Sequence, residues 1–320
     1  MKKIFFTITL VLLASISMQA QVLEEVTEEG NTGIRLIGAN PANYGDIGSY
    51  SFDITVQGAA SATRGATGTS AVAMGRQTTA SGAYSTAMGS TTIASGNYSL
   101  SAGLQTTASG AYSFAVGSST TASANYSLAL GRSTTASGVA STAMGPYTIA
   151  ADYGSFVIGQ YNSSLSSVTT DGHASLYDTD NTAFVIGNGT GLGSESDAFK
   201  VMFNGDATVS NDLTVSGDVN VSSDARLKSN IVSLGSTLSK LLLIDGKSYT
   251  IINDGDKKIG VLAQDIQKAF PELVGTEDKD MLTVNYQGLV PVLINAIKEQ
   301  ENKITRLENL VEQLIDNNQE

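Results

Sequence analysis

The stretch STAMGSTTIASGNY, residues 85–98, is one copy of a 14-residue phrase that recurs through the first half of the chain. The following copies read SLSAGLQTTASGAY at 99–112, SFAVGSSTTASANY at 113–126 and SLALGRSTTASGVA at 127–140. Glycines mark the period at steps of 14 residues: Gly75, Gly89, Gly103, Gly117, Gly131, Gly145 and Gly159. A fixed internal period is the signature of a repeat architecture, and it therefore decides the fold class of this region.

Each copy holds two short runs of alternating side chains, which in the quoted stretch are residues 85–88 and 91–94. Alternation directs one set of side chains inward and the other outward. A lone copy could not bury its apolar side chains, whereas stacked copies share a thin continuous core. The pattern predicts a β-solenoid over residues 68–160. The alternative is a disordered Ser/Gly/Thr-rich linker, but the regular Met, Leu, Val and Tyr positions argue against it.

The composition excludes several kinds of site. The 320 residues include no Cys, no Trp and one His, and the formal net charge is −12. We therefore expect no metal, no cofactor and no disulfide. The negative charge argues against nucleic acid or an anionic membrane as partner. Any catalysis must use Ser, Lys, Asp or Glu, because His173 has the context of a polar loop residue.

The first twenty residues have the pattern of a signal peptide. A basic MKK precedes the apolar run IFFTITLVLLASI, which is too short to span a bilayer, and small residues come before Gln21. No later stretch is apolar enough for a transmembrane helix. We expect export by this signal peptide and a mature chain at the cell surface or outside the cell.

The repeat pattern continues less regularly beyond residue 160. The tetrapeptide FVIG at 184–187 repeats FVIG at 156–159 two periods later, after an insertion. From 200 to 222 apolar and polar residues alternate between Asn-Gly, Asn-Asp and Ser-Gly-Asp turn signals. Such thin strands need partners, so we expect a β neck that is paired between chains.

After residue 222 the composition becomes that of a mixed α/β module. A helical spacing of apolar residues spans 227–243, interrupted by Gly235. Strands are expected at 247–252, 258–262 and 281–285. A short helix is expected at 263–270, ended by Pro271.

A heptad pattern covers the C-terminal helix, about residues 287–317. Its two apolar seams are Val290, Ile297, Ile304 and Val311, and Leu293, Gln300, Leu307 and Leu314. The charged flanks, which favour a coiled coil, are Glu299, Glu301, Lys303, Arg306 and Glu308. A single amphipathic helix docked on its own module is the alternative. The heptad does not decide between two and three strands.

The repeat phrases S-x-A-[MLV]-G and T-x-A-S-G over residues 68–160 resemble the head repeats of trimeric autotransporter adhesins. The resemblance implies a left-handed parallel β-roll that packs as a homotrimer. It also implies an adhesin-like fibre with an unknown surface receptor or extracellular ligand.

The last 98 residues resemble a second family, the C-terminal intramolecular chaperones of phage endosialidases and related tail spikes. The phrases that carry the resemblance are SDARLKSNI at 223–231, GVLAQD at 260–265, FPELV at 270–274, VNY at 284–286 and AIKEQ at 296–300. Ala225 and Ser229 stand where that family more often has charged residues.

This second resemblance implies a single-turnover, self-cleaving serine endopeptidase with a Ser–Lys dyad. By position, Ser223 is the nucleophile and Lys228 the base, and the bond between Ser222 and Ser223 is cut. The module would assemble a trimer, help the upstream β-rich part to fold, and then release itself. The alternative is a non-cleaving structural adhesin in which the module is only a trimerisation cap.

The residue patterns and the two resemblances together predict five parts and a fold that is mainly β with an α+β C-terminal module. These parts are a signal peptide at 1–20, an N-terminal β cap at 21–67, the β-roll at 68–160, an irregular β continuation and neck at 161–222, and the chaperone domain at 223–320. A phage or prophage spike is a further possibility, but the signal peptide favours export by the cell that makes the protein.

Residue chemistry is consistent with the dyad. A lysine amine can activate a serine hydroxyl if burial lowers the pKa of such an amine from about 10.4. A spacing of five residues puts Ser223 and Lys228 on different faces of a regular helix or strand. The dyad therefore needs a turn or helix start between them, or a residue from another chain. We expect it to form only in the assembled trimer. Taken alone, Ser-Asp-x-x-x-Lys would be a helix cap followed by a solvated lysine.

Overall fold

The computed structural model describes residues 23–163, 173–252, 255–277 and 281–317. The chain forms two compact units, Met1–Gly217 and Asp218–Glu320. The expected signal peptide, residues 1–20, lies outside the described residues.

The first unit is built from short strands. They are β1 (Leu23–Glu28), β2 (Asn31–Leu36), β3 (Phe52–Val56), β4 (Gly65–Ala66), β5 (Val72–Arg76), β6 (Thr79–Ala80), β7 (Thr86–Ser90), β8 (Ile93–Ala94), β9 (Leu100–Leu104), β10 (Thr107–Ala108), β11 (Phe114–Ser118), β12 (Thr121–Ala122), β13 (Leu128–Arg132), β14 (Thr135–Ala136), β15 (Thr142–Pro146), β16 (Ile149–Ala150), β17 (Phe156–Gln160), β18 (Thr182–Asn188), β19 (Asp197–Met202) and β20 (Ala207–Val209). A 3-10 turn, Pro41–Asn43, lies between β2 and β3.

These strands form two sheets that together make a β-solenoid. The larger sheet has 13 strands in the order β1-β2-β3-β5-β7-β9-β11-β13-β15-β17-β18-β19-β20, and the smaller has seven, from β4 to β16. Within the repeats every neighbouring pair is parallel and offset by one period, so that Ala87 lies beside Ala73 on one side and Ser101 on the other. The predicted solenoid is confirmed.

The core of the solenoid consists of two rows of buried side chains, mostly alanines, one row from each sheet. The larger sheet contributes Ala73, Ala87, Ala115, Ala129 and Ala143, followed by Val157 and Val185, and the smaller contributes Ala66, Ala80, Ala94, Ala108, Ala122, Ala136 and Ala150. Ser101 occupies one position in the row from the larger sheet, and its hydroxyl forms a hydrogen bond with Thr106 Oγ1 at 2.7 Å. The small side chains reflect the close approach of the two sheets, which leaves no room for a thicker core.

The repeat glycine lies at a close approach between coils. Gly89 has φ of +116°, and a Cβ added there would lie 2.1 Å from the carbonyl oxygen of Gly103. Only glycine combines this conformation with so close a backbone contact. The fixed spacing of glycines is therefore a direct consequence of coil stacking.

Stacked tyrosines line one corner of the solenoid, a feature that the sequence did not predict. Tyr84, Tyr98, Tyr112 and Tyr126 each have φ near +60°. Their successive rings are nearly parallel, with centroids 4.9, 4.9 and 5.2 Å apart. A left-handed conformation is unfavourable for such a residue. The ring stacking between neighbouring coils offsets part of that cost.

The two ends of the larger sheet depart from the repeat. β1 and β2 form an antiparallel hairpin before β3. At the other end β17 pairs in parallel with β18, with Phe156 opposite Phe184, as the repeated tetrapeptide indicated. β19 and β20 then continue antiparallel.

The expected strands of the neck are only partly present. Beyond β20, residues 210–222 are exposed and lie outside any strand. The β neck up to residue 222 was expected to pair between chains, and it stays a prediction. Within one chain these thin segments have no neighbouring strand to satisfy their backbone groups.

The second unit is a small α/β module. Its elements are a 3-10 turn (Ala225–Leu227), α1 (Leu238–Leu241), β21 (Lys247–Thr250), β22 (Lys257–Gly260), α2 (Ala263–Ala269), a 3-10 turn (Pro271–Leu273), β23 (Val274–Glu277), β24 (Met281–Val284) and α3 (Leu289–Asn317). β21 pairs with β22 and β23 with β24, both antiparallel. Its core consists of Ile266, Ala269, Phe270 and Val292.

Two details of this unit differ from the sequence expectation. The helix expected over 227–243 is reduced to the first 3-10 turn and α1, because Gly235 adopts φ of +66° and interrupts the helical path. β23 was not predicted, since its sequence VGTE contains only one strongly apolar residue.

α3 confirms the predicted C-terminal helix and leaves its heptad stripe uncovered. Every residue from 300 to 317 is exposed in the single chain. Leu307 and Leu314, on one seam, are each 61% exposed, and Val311 on the other is 53% exposed. The stripe is available to other helices.

Candidate functional site

A single 3-10 turn shapes the chain around the expected cleavage position. Asp224 precedes the turn, and its carboxylate accepts a hydrogen bond from the Arg226 backbone N–H at 2.8 Å. The turn ends at Lys228, whose N–H donates to the Ala225 carbonyl at 3.1 Å. Asp224 is thus an N-cap, the role that its position in the sequence favours.

This turn brings the two predicted catalytic side chains together. Lys228 Nζ donates a hydrogen bond to Ser223 Oγ at 2.7 Å and a second one to the Ser223 carbonyl at 3.1 Å. Of the arrangements that the five-residue spacing left open, the chain uses a turn between the two residues. The expectation that they meet only in a trimer is wrong, because the 3-10 turn shortens the path enough for contact within one chain.

The neighbouring charges leave Lys228 unpaired. Asp224 is held by Arg226, whose Nη2 lies 2.7 Å from Asp224 Oδ2. The hydrogen bonds from the Arg226 side chain and then from its backbone N–H lower the pKa of Asp224. The same contact raises the pKa of Arg226. Among the described residues Lys228 makes no ion pair, and its amine contacts only Ser223.

The pair is open to solvent. Ser222, Ser223 and Lys228 are all exposed, as is every residue from 221 to 230. A lysine amine becomes a general base near neutral pH only when it is desolvated. The single chain therefore supplies the geometry of a Ser–Lys dyad without the burial that its chemistry requires.

A second polar cluster, which sequence reasoning missed, joins the segment after the dyad to α3. Glu299 accepts hydrogen bonds from Ser236 Oγ at 2.7 Å, from the N–H of Leu238 at 3.1 Å, and from the N–H of Thr237. Thr237 is buried, and its hydroxyl donates to the Val292 carbonyl at 2.9 Å. We call Ser236, Thr237 and Glu299 the α3 latch.

The latch gives Glu299 a role that differs from the expected one. The heptad placed it among the charges that flank a coiled coil, whereas its carboxylate caps the first turn of α1. The hydrogen bond from Ser236, followed by that from Thr237, lowers the pKa of Glu299. The signal in the sequence was Ser-Thr directly before Leu238, a pattern typical of a helix start.

The remaining expectations about sites concern metals, histidine and membranes. No group of three or more potential metal ligands occurs in the part of the chain that the structure describes. His173 lies in an exposed loop, where its Nδ1 accepts a hydrogen bond from the Ser175 N–H at 3.1 Å. Within the described ranges, none of the helices has the length and apolar character needed to span a bilayer.

Comparison with known families gives matches to one segment in each of the two units. The family described as "YadA head domain repeat (2 copies)" matches residues 66–92, 94–120, 108–134 and 136–162. The family described as "Chaperone of endosialidase" matches residues 223–275. Comparison with curated proteins gave no match. The chain thus carries adhesin-type head repeats and an endosialidase-type chaperone domain, which confirms the two resemblances found in the sequence.

Proposed function

We propose that this chain, which joins adhesin-type head repeats to an endosialidase-type chaperone domain, is an exported, trimeric surface fibre that processes itself. The C-terminal domain assembles the trimer and then cuts the bond between Ser222 and Ser223. The observation that carries the cleavage is the 2.7 Å contact between Lys228 Nζ and Ser223 Oγ. The two family matches support the coarser part, an adhesin-like protein with a chaperone domain that assembles as a homotrimer.

The proposed reaction starts at the Ser223 hydroxyl. With Lys228 in its neutral form, the hydroxyl donates to the amine and Oγ attacks the carbonyl carbon of Ser222. The new C–O bond replaces the C–N bond, and the proton taken up by Lys228 passes to the released amino group of Ser223. Water then hydrolyses the ester, which leaves a carboxylate on Ser222 and restores the Ser223 hydroxyl.

Assembly supplies the burial that the single chain lacks. The exposed heptad stripe of α3 joins three chains, and neighbouring chains then exclude water from the Ser223–Lys228 pair. Cleavage would thus follow assembly. This order suits a β-rich fibre, because pairing between distant strands is slow and unpaired edges aggregate. Loss of the chaperone afterwards would give the fibre kinetic stability.

The test is the mass of the purified chain and its fragments. A fragment that begins at Ser223 is expected from the wild type and from Ser222→Ala, a matched control that keeps the nucleophile. Ser223→Ala should give only the uncleaved chain. Release of the same fragment by Ser223→Ala would refute the assignment of the nucleophile.

A second candidate function is a trimerisation cap that never cleaves. The exposure of the dyad favours it, because a solvated ammonium group is a poor base. It predicts a stable trimer of uncleaved chains for the wild type, whereas self-processing predicts a trimer that has lost residues 223–320.

Export through a signal peptide is also part of the proposal. The N-terminal sequence of protein recovered from the cell surface or medium tests it. A start at or within a residue of Gln21 is expected, and a start at Met1 would refute it.

A further inference from the structure

The tyrosine stack, formed by Tyr84, Tyr98, Tyr112 and Tyr126, presents four phenol rings at one corner of the solenoid. These residues are 53%, 51%, 52% and 61% exposed. Neighbouring rings lie within 5° of parallel, with centroids 4.9, 4.9 and 5.2 Å apart, so neighbours cover both faces of an inner ring. The exposed part of each side chain is therefore the ring edge, which carries the hydroxyl and the two carbons ortho to it.

The exposed edges of these rings make no polar contact with the described part of the chain. None of the four hydroxyls has a hydrogen-bond partner there. No residue between Arg76 and Arg132 is charged. The chain has no Cys and no Trp, so neither a thiol nor an indole competes with the phenols for an oxidant.

These observations point to a modification of the stack. We propose that the tyrosine stack is a site of oxidative cross-linking, where a one-electron oxidant joins tyrosines of successive coils as dityrosine. The oxidant is hydrogen peroxide acting through a haem peroxidase. The modification goes beyond the proposed function and does not depend on self-cleavage.

The reaction balances with one molecule of peroxide for each cross-link. Each of two neighbouring phenols loses one electron and one proton. The two phenoxyl radicals form a C–C bond between ortho carbons, and the hydrogens on those carbons move to the oxygens, which restores both phenols. The peroxide takes up the two electrons and two protons and becomes two molecules of water.

The solenoid holds the reacting rings in matching positions. Tyr84, Tyr98 and Tyr112 have φ of +58° and Tyr126 has +61°, so each ring carbon lies beside its counterpart on the next ring. The backbone N–H of Tyr98 donates to the Ala83 carbonyl of the preceding coil at 2.8 Å, and the other three make equivalent bonds. Coupling therefore requires rotation of side chains on a fixed backbone. Two radicals held in this way react with each other faster than radicals on separate chains.

A second stacked pair, Tyr147 and Tyr161, has different surroundings. Its ring centroids are 4.5 Å apart, but the Arg132 guanidinium lies 5.0 Å from the centre of the Tyr147 ring. A cation at that distance opposes the loss of an electron, because the oxidised ring would also be positive. We expect cross-linking to favour the tyrosine stack over this pair.

A cross-link in the stack ties one coil to the next. Between Tyr98 and Tyr112 it closes a loop of 14 residues. Such a covalent bond limits the freedom of the unfolded chain, as a disulfide does, and the chain has no Cys to form a disulfide. Oxidants outside the cell would thus strengthen an exported fibre.

The test treats the full chain, in dilute solution, with hydrogen peroxide and a haem peroxidase, followed by denaturation, trypsin and mass spectrometry. All four stacked tyrosines fall in one tryptic peptide, residues 77–132, because no Lys or Arg lies between Arg76 and Arg132. We expect this peptide to lose the mass of two hydrogen atoms for each cross-link without joining another peptide. Oxidation of methionine would instead add the mass of oxygen.

Two double variants separate the adjacency of tyrosines from their number. Tyr98→Phe with Tyr126→Phe leaves Tyr84 and Tyr112 two coils apart, whereas Tyr84→Phe with Tyr98→Phe keeps Tyr112 next to Tyr126. Phenylalanine preserves ring stacking and removes only exposed hydroxyls, so both variants should fold as the wild type does. We expect the cross-link yield in the peptide to be at least about tenfold lower in the first variant than in the second.

Three results would overturn the proposal. They are a wild-type peptide that loses no hydrogen, cross-links that form only between chains, and equal yields from the two double variants.

Discussion

Lys228 Nζ contacts Ser223 Oγ at 2.7 Å across five positions of sequence because the intervening residues form a 3-10 turn. Neither a continuous helix nor a strand would place these side chains together. The contact depends on Asp224, which caps the turn and is itself held by Arg226. Geometry and desolvation are thus separate requirements, and only the first is met within one chain.

The identity of the proposed base can be tested with Lys228→Arg. Arginine keeps the positive charge and can still donate to Ser223, but it does not give up its proton in proteins. We expect cleavage to slow by at least about 100-fold, as for loss of a general base, in both Lys228→Arg and Lys228→Met. Denaturing gels over time measure the rate. Lys257→Met, at an exposed lysine of β22, is the control; if Lys228→Arg cleaved at the wild-type rate, the lysine would not be the base.

The heptad stripe of α3 should control both assembly and cleavage. Replacing Leu307 and Leu314, each 61% exposed in the single chain, by Asp puts charges into the interface between helices. We expect sedimentation of the double variant as a monomer and no release of the fragment from Ser223. Arg306→Ala, beside the stripe, should assemble and cleave normally. A monomeric variant that still cleaved would separate cleavage from assembly.

The α3 latch should make the stability of the second unit depend on pH. The hydrogen bonds to Glu299 lower its folded pKa from the usual 4.5. A depressed carboxyl pKa stabilises the fold above the unfolded value, and that stabilisation is lost as the pH falls through the folded value. Glu299→Gln in the Ser223→Ala background should therefore lower Tm at neutral pH, and the difference should shrink below about pH 4.5.

The matched comparison for the latch is Glu301→Gln, because Glu301 is an exposed carboxylate two residues further along α3. Thermal unfolding followed by circular dichroism from pH 3 to pH 8 measures both variants. An equal Tm loss for Glu299→Gln at all pH values would contradict the role of its ionised carboxylate.

The repeat glycines should be intolerant of even one added methyl group. Gly89→Ala would put a Cβ 2.1 Å from the Gly103 carbonyl oxygen at φ of +116°. We expect a loss of about 1–3 kcal/mol or more in the free energy of unfolding. Gly58→Ala is the matched control, since an added Cβ there meets nothing within 4 Å. Denaturant unfolding of the two variants measures the difference, and equal stability would contradict the close-contact explanation.

The solenoid could be predicted from the sequence because its contacts repeat with the chain itself. Each coil pairs with the next at an offset of one period, so the glycine spacing also gives the register of the strands. The pairing of Phe156 with Phe184 follows from the same repetition. The predominance of alanine in the core is also visible in the phrase, because alanine recurs at the inward position of both runs.

The candidate site was less predictable because its geometry depends on single turns and on distant partners. Family resemblance identified Ser223 and Lys228, but the 3-10 turn that joins them has no periodic signal. Glu299 contacts residues more than 60 positions away, and a heptad pattern carries no information about such a contact. The shortened helix after residue 227 results from one glycine in the left-handed region, Gly235.

The tyrosine stack also makes the stacking of the solenoid coils detectable by optical spectroscopy. The chain has no Trp and 12 Tyr, and four of the tyrosine rings form one nearly parallel series. Closely stacked chromophores in a fixed chiral arrangement couple their electronic transitions. The near-ultraviolet circular dichroism of this protein should therefore carry an exciton signature of coil stacking, which disappears when the coils separate even if each coil keeps its local backbone conformation.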